Sequence, residues 1–458
     1  MRKIIPLCII VLALVVLAAA PALWAQKASE PANVQATGQA TDQANVQAND
    51  NPVSPAAAGE NPAQAADQVA QSSEQLSPSG DQDDWAEGLS QEQKDFFLTC
   101  AEGSVEEIKK ALEAGADPNM HSKDGLTPLM QAAGRNQDPK VIVTLLESGA
   151  DPEAVESNFG LNALMFAASF NPEPKIIEEL AKKIPLDHQT FFGVTAIHQA
   201  ATSNPNPMVL KTLIKMGANI ESVDSQGNRP LMSAASAGHI PNLKTLIEGG
   251  ANVKAVNNKG ETALFVAATD CQNPDAISLL VKAGADLEAK TNQGETAIFA
   301  AVSNPNPDVL NAVIMNGAKT NVTGQDGSSP LFSAALRAPD LNNVRRLMMF
   351  GYDVNQKNAL KLTPLMAAVV NPDPSLTRYF LIQGADPNAQ NASGLTALMI
   401  AAGYANNDVV IKALIGAGAD PTLKDDSGRD AMEFALQNTN PAVAQTLKKM
   451  MAPLAVNP

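Results

Sequence analysis

Between Phe96 and Leu447 the apolar residues come in short paired bursts, each pair closed by a glycine and followed by a polar segment. In one such stretch, Thr127-Pro128-Leu129-Met130 opens a burst, Ala132-Ala133 closes it, and Val141, Ile142, Leu145 and Leu146 form the second. A threonine hydroxyl satisfies the free N–H groups at a helix start, and proline suits the first turn, where its missing N–H costs nothing. The apolar spacing of the second burst is that of an amphipathic helix with one buried face. Gly149 then ends it, as a residue that takes positive φ readily. The pattern predicts two short helices followed by a turn, over and over.

The repetition is regular. Positions equivalent to Thr127 fall at Asn162, Thr195, Arg229, Thr262, Thr296, Ser329, Thr363, Thr396 and Asp430, in steps of 35, 33, 34, 33, 34, 33, 34, 33 and 34 residues. A second marker recurs as Gly149-Ala150-Asp151, Gly217-Ala218-Asn219, Gly250-Ala251-Asn252, Gly284-Ala285-Asp286, Gly384-Ala385-Asp386 and Gly418-Ala419-Asp420. A fixed period near 34 is the mark of a repeat array. These residues resemble the ankyrin repeat over about 92–452. The resemblance implies an all-α solenoid of about eleven units, each a helix, a loop, a second helix and a hairpin-like finger. Phe96, Phe97, Ala101, Val105, Ile108 and Leu112 supply a first unit without the Thr-Pro-Leu opening; Glu106, Glu107, Lys109 and Lys110 give it the polar face a terminal repeat needs. Asp430-Ala431-Met432 departs from the motif in the last.

The loop between the two helices reads Asn-Pro-x-Pro at Asn171–Pro174, Asn204–Pro207, Asn304–Pro307 and Asn371–Pro374. The residue before the second proline is placed to cap the next helix. These loops read as stiffeners of the scaffold, with proline recognition as the alternative. Ile184-Pro185-Leu186 replaces the usual Gly-Ala-Asp, and the step of 35 falls in the same neighbourhood.

Ahead of the repeats, Met1-Arg2-Lys3, the apolar run Ile4–Ala20 and Leu23-Trp24-Ala25 have the form of a secretory signal peptide over 1–25. Export to the periplasm or beyond is the expectation. An uncleaved inner-membrane anchor is the alternative, because a run of 17 residues is close to the shortest membrane span. Residues 26–90 are rich in Ala, Gln, Asn, Pro and Ser; from Gln26 to Asp95 twelve acidic residues face Lys27 and Lys94, a net charge of −10. Such a composition buries too little apolar surface to fold and reads as a charged, disordered linker. The repeat domain is expected over 91–452 and a tail over 453–458.

The whole chain carries −16, with a pI near 4.7, and so lacks the basic stripe that nucleic acid calls for. Cys100 and Cys271 lie about five repeats apart, beyond disulfide reach, and Cys271 is expected as an exposed thiol in its loop. His198 and His239 occupy the structural histidine positions that the resemblance implies, while His121 and His188 have no second ligand at helical spacing. Neither a catalytic set nor a phosphate loop is visible, so no enzyme and no cofactor is expected. Met130, Met165, Met232, Phe265, Phe299, Phe332, Met366 and Met399 recur once per repeat; this stripe reads as core between repeats rather than as thioether ligands for copper.

Proteins with this resemblance bind partners through finger tips and the exposed end of the first helix, on the concave side. Carried through the register, those positions hold Phe159, Leu161, Phe170, Phe191, Phe192 and Val194, with Tyr404 further along and Leu336, Arg337, Leu360 and Leu362 as weaker candidates. Clustered exposed aromatics are the raw material of interface hot spots, and inward-folded phenylalanines filling the altered turn are the alternative. The expected function is a monomeric scaffold for a protein or peptide partner. A structural or protective envelope protein is the rival reading.

Overall fold

The computed structural model describes residues 87–339, 341–404 and 408–451. The segment 1–25, nearly all of 26–90 and the tail 453–458 lie outside the described residues. The described residues fall into two compact units, one ending at Ala359 and the other beginning at Leu360.

The first unit holds eight helix pairs. They are α1 (Gln91–Glu102) and α2 (Val105–Glu113), α3 (Pro128–Arg135) and α4 (Pro139–Glu147), α5 (Ala163–Phe170) and α6 (Pro174–Leu180), and α7 (Ala196–Ser203) and α8 (Pro207–Lys215). After them come α9 (Pro230–Ala237) and α10 (Ile240–Glu248), α11 (Ala263–Asp270) and α12 (Asp275–Lys282), α13 (Ala297–Ala301) and α14 (Pro307–Met315), and α15 (Pro330–Arg337) and α16 (Leu341–Met349). Three pairs make up the second unit: α17 (Pro364–Ala368) and α18 (Pro374–Ile382), α19 (Ala397–Tyr404) and α20 (Val409–Gly416), α21 (Ala431–Ala435) and α22 (Pro441–Met451). Within each unit, first helices pack on first helices and second helices on second helices. The eleven pairs follow the plan that the sequence resemblance implies.

The helix starts are made as their sequences dictate. Thr127 Oγ1 accepts the Met130 N–H at 3.3 Å, and Ser90 and Ser104 form reciprocal capping boxes with Gln93 and Glu107. In the proline loops Asn206 Oδ1 accepts the Met208 N–H at 3.0 Å, with Pro207 as first helical residue. Met130, Met165, Met232, Phe299, Phe332, Met366 and Met399 are buried between repeats, and Phe265 is half-buried. The stripe is core.

The first asparagine of each loop does more than stiffen it. Asn204 is fully buried; its Nδ2 donates to the carbonyls of Ala168 and Asn171 in the preceding repeat, both at 2.9 Å, while its Oδ1 accepts the Asn206 N–H at 2.9 Å. Asn171 does the same toward Ala133 and Asn136, and Asn136 toward Cys100 and Gly103. A helix leaves its last carbonyls without intrahelical partners, and here the next repeat supplies the donor. Two repeats reach the same end from the second helix: Asn242 donates to Ala200, Ala201 and Asn204, and Asn343 to Val302 and Asn304.

Cys271 stands where the loop asparagine would be, and its expected exposure is corrected. The residue is buried, because Gly238 of the preceding repeat has no side chain: a Cβ on Gly238 would lie 2.8 Å from the sulfur. Its thiol keeps the local half of the asparagine's role, accepting the Asn273 N–H and donating to the Asn273 carbonyl, both at 3.2 Å. Burial raises its pKa; the Asn273 hydrogen bond partly offsets this and the charge of Asp270 adds to it. Burial alone pushes the Cys100 thiol up to about 12.

Replacing Asn204 by Ala removes one accepted and two donated bonds and strips two buried carbonyls of a donor. At about 1–3 kcal/mol for each buried group left unpaired, the variant should lose roughly 3 kcal/mol or more of stability in urea unfolding. Cys271→Ala, which removes side-chain hydrogen bonds only within its own loop, should lose less; an equal loss would contradict the assigned role of the asparagine.

Candidate functional site

Each finger is a turn closed around one polar side chain. Asp224 Oδ1 accepts the N–H groups of Gln226 and Asn228, both at 2.8 Å, and Asn257 Oδ1 accepts those of Lys259 and Glu261 at 2.9 and 3.0 Å. Thr190 does so for Phe192 and Val194 at 3.3 and 3.0 Å. Neighbouring fingers are joined through the backbone. Ser157 N–H donates to Asp124, Phe191 to Phe159, Ser225 to Phe192 and Asn258 to Gln226, at 2.8–3.0 Å.

The second finger departs from this plan. Glu156 takes the closing position, and the loop to Leu161 is one residue longer than that from Thr190 to Val194, which accounts for the step of 35. The longer side chain spans the longer loop: the fully buried carboxylate accepts the N–H groups of Asn158, Phe159 and Leu161 at 2.7, 2.7 and 3.0 Å. Hydrogen bonds to an ionised acceptor are the strong ones, and three of them stand in for a counter-ion. Sequence reasoning passed over Glu156, although a glutamate at a position held elsewhere by Ser, Thr, Asp, Asn or Gly was its signal.

The rigid loop carries Phe159 to the neighbouring finger. The Phe159 and Phe192 rings lie 6.4 Å apart, tilted by 45°. Phe191 lays its ring over Gly160, where a Cβ would come within 3.0 Å of it. Phe191 is 67% exposed and Phe192 38%, with Phe159 half-buried. These three residues form an aromatic patch on two adjacent finger tips.

The other predicted positions are placed differently. Phe170 is half-buried and pairs with Phe166 at 6.3 Å on α5 instead of joining the patch. Val194 is half-buried. Leu161 is corrected: at 3% exposure it belongs to the core, because it follows the finger glycine at the position where Leu126, Leu362 and Leu395 also turn inward. Leu362 is thereby withdrawn as a surface candidate too. Tyr404, at the end of α19 in the second unit, is 39% exposed, and Leu360 is exposed. Arg337 is exposed and pairs with Glu295 at 3.4 Å, and Leu336 is half-buried.

His198 is structural, as its place in the repeat implied. Its Nδ1 meets Thr195 Oγ1 at 2.9 Å and its Nε2 the Asn228 carbonyl at 3.2 Å, tying a helix start to the next finger. Burial lowers its pKa, against the Asn228 bond and the charge of Asp224, which act to raise it. Among the described residues no group of three His, Cys, Asp or Glu is placed to hold a metal ion, and no helix is long and apolar enough to cross a membrane.

A family model for ankyrin repeats in three copies matches residues 96–190, 164–257, 242–324 and 365–454. No curated protein matches the chain. Among solved structures it is similar to the ankyrin repeat domain of Bcl-3, a unique member of the IkappaB protein family, at 27% identity, covering 49% of this chain and 99% of that one with a TM-score of 0.39.

The depressed pKa of His198 sets an acid dependence with a definite sign. Above about pH 6.5 the histidine is neutral both folded and unfolded; below it, only the unfolded chain takes up the proton, so stability falls by at most about 1.4 kcal/mol per pH unit. His198→Gln should flatten that decline between pH 6.5 and 5 in urea unfolding. An unchanged slope would show that other groups set it.

Proposed function

The chain belongs to the ankyrin repeat family, and from that premise we propose that it is an exported, non-catalytic scaffold which binds a protein or peptide partner at the tips of its second and third fingers. Ankyrin repeats are protein-interaction scaffolds, and they leave the residues at their finger tips free to vary. The observation that carries the reading is the patch of Phe159, Phe191 and Phe192. Exposed aromatic rings cost solvation wherever no partner covers them, and such rings dominate the energetics of protein interfaces. The patch is also held in advance of binding. Glu156 fixes one loop through three N–H groups and the Phe191 N–H fixes the other to the Phe159 carbonyl at 2.9 Å, so little conformational freedom remains to be lost on association. The segment Met1–Ala25 supports export, and the acidic stretch that follows fits a spacer between the export signal and the repeats.

The test separates binding from packing. Phe191→Ala with Phe192→Ala should leave the melting curve close to that of the parent, since exposed substitutions shift stability by about 0.5 kcal/mol or less. Recovery of partner from an envelope extract by the full chain should fall by about thirtyfold in affinity, the roughly 2 kcal/mol expected of truncated hot-spot aromatics. A destabilised variant with unchanged recovery would assign the rings to packing and overturn the reading.

A further inference from the structure

The residue just before each finger's closing side chain lies at an exposed position throughout the first unit, and its chemistry changes along the stack. The first finger has the exposed His121 there, and on the second, fourth and fifth fingers the residue is Val155, Val223 and Val256, 38%, 42% and 49% exposed. The third finger has Gln189 there, followed by the aromatic tip. From the sixth finger onward the same position is Lys290, Thr323 and Lys357, all exposed. The spacing from Val155 to Lys357 never departs from 33 or 34 residues, so this is one column of equivalent sites.

Val155 and Val256 are fixed in extended backbone by antiparallel bridges to Asn162 and Thr262, so the finger does not fold these valines away. At the other end of the column the lysines are free while nearby acids are occupied. Glu295 pairs with Arg337, Asp326 holds Ser328 and Glu261 accepts from Asn257, whereas neither Lys290 nor Lys357 forms an ion pair among the described residues. The column is therefore richest in valine over its second to fifth fingers and cationic beyond them, within a chain whose net charge is −16.

We propose that this column binds a peptide segment in polyproline II conformation that places an apolar side chain at every third residue and acidic side chains at its other end. The proposal rests on the binding reading above and adds the chemistry of the partner. Packed helices repeat at about 8–10 Å, and three residues of polyproline II advance about 9 Å in one full turn, so every third side chain returns to the same face and meets successive fingers in register. A helix advances only about 4.5 Å in three residues and about 10 Å in seven, so its apolar face would fall into step with the fingers once per heptad. Acidic residues at the far end would supply the charge that Lys290 and Lys357 lack.

Selection of a displayed random 16-residue peptide library on the full chain tests this. Enriched peptides should carry apolar residues at a period of three with Asp or Glu toward one end, and should tolerate proline between the apolar positions. Val223→Asp with Val256→Asp should weaken the selected peptides by about tenfold or more, in line with burial of an unpaired charge against apolar groups. Lys290→Glu with Lys357→Glu should shift enrichment toward Lys or Arg at that end, a change of preference that a merely misfolded variant would not give. Failure to enrich, helical spacing abolished by proline, or peptides indifferent to both variants would overturn the proposal. Enriched sequences that match a stretch of residues 26–86 would assign the column to the chain's own linker and overturn it equally. The scaffold reading is judged separately by Phe191 and Phe192 with the natural partner, and it stands or falls without the column.

Discussion

The constraint on which the structure depends is that helices of five to twelve residues leave a large share of their carbonyls without partners, at ends that the stacking buries. At most junctions, that of Cys271 excepted, a buried asparagine meets it. Its amide donates backward to the carbonyls closing the preceding first helix, and where it stands in the loop, as Asn136, Asn171, Asn204 and Asn304 do, its oxygen accepts the N–H that opens its own second helix. Successive asparagines also bond to one another, since Asn171 donates to the Asn136 carbonyl, Asn204 to that of Asn171, and Asn242 to that of Asn204. Every unpaired buried carbonyl would cost about 1–3 kcal/mol, so the spacing of repeats is set at these points as firmly as by the apolar core.

The finger side has a matching device. A backbone N–H of each finger donates to a carbonyl of the one before, and one polar side chain closes each turn. Between the two rows of hydrogen bonds lie the small alanines and one methionine or phenylalanine per repeat, all set by what neighbouring repeats leave room for. Because each repeat bonds chiefly to its neighbours, one junction can differ without disturbing the rest. The junction of α9 and α11 does: Gly238 faces Cys271, and the sulfur serves only its own loop.

Much of this was legible in the sequence, and the parts that were not have a common cause. Thr127, Pro207 and Gly149 declare helix starts and stops because capping is local, decided within four residues of chain. The buried methionine stripe was legible because a strict period already implies equivalent surroundings. Cys271 was misread because its burial depends on the absence of a Cβ at Gly238, 33 residues earlier, which no local pattern reports. The asparagines read only as loop residues for the same reason: their donors point to carbonyls 33 to 38 residues back. Leu161 was placed on the surface with the rest of its finger, whereas a leucine just before the helix cap turns inward, as Leu126, Leu362 and Leu395 also do.

That extra residue shows how the framework bears on recognition. Lengthening a finger by one residue leaves an additional N–H to be satisfied, and a side chain as short as threonine or aspartate reaches only two. Glutamate, one methylene longer than aspartate, reaches three, and the cost of burying its charge is met by those same three donors. The insertion thus becomes a rigid platform that presents Phe159 to Phe192 and leaves Phe191 turned largely to solvent. With the backbone's demands met inside the stack and at the turn, with help from side chains such as Asn119 and Glu288, other outward positions of the fingers are released from hydrogen bonding. On the proposed reading, valine, lysine and phenylalanine there are set by what approaches from outside.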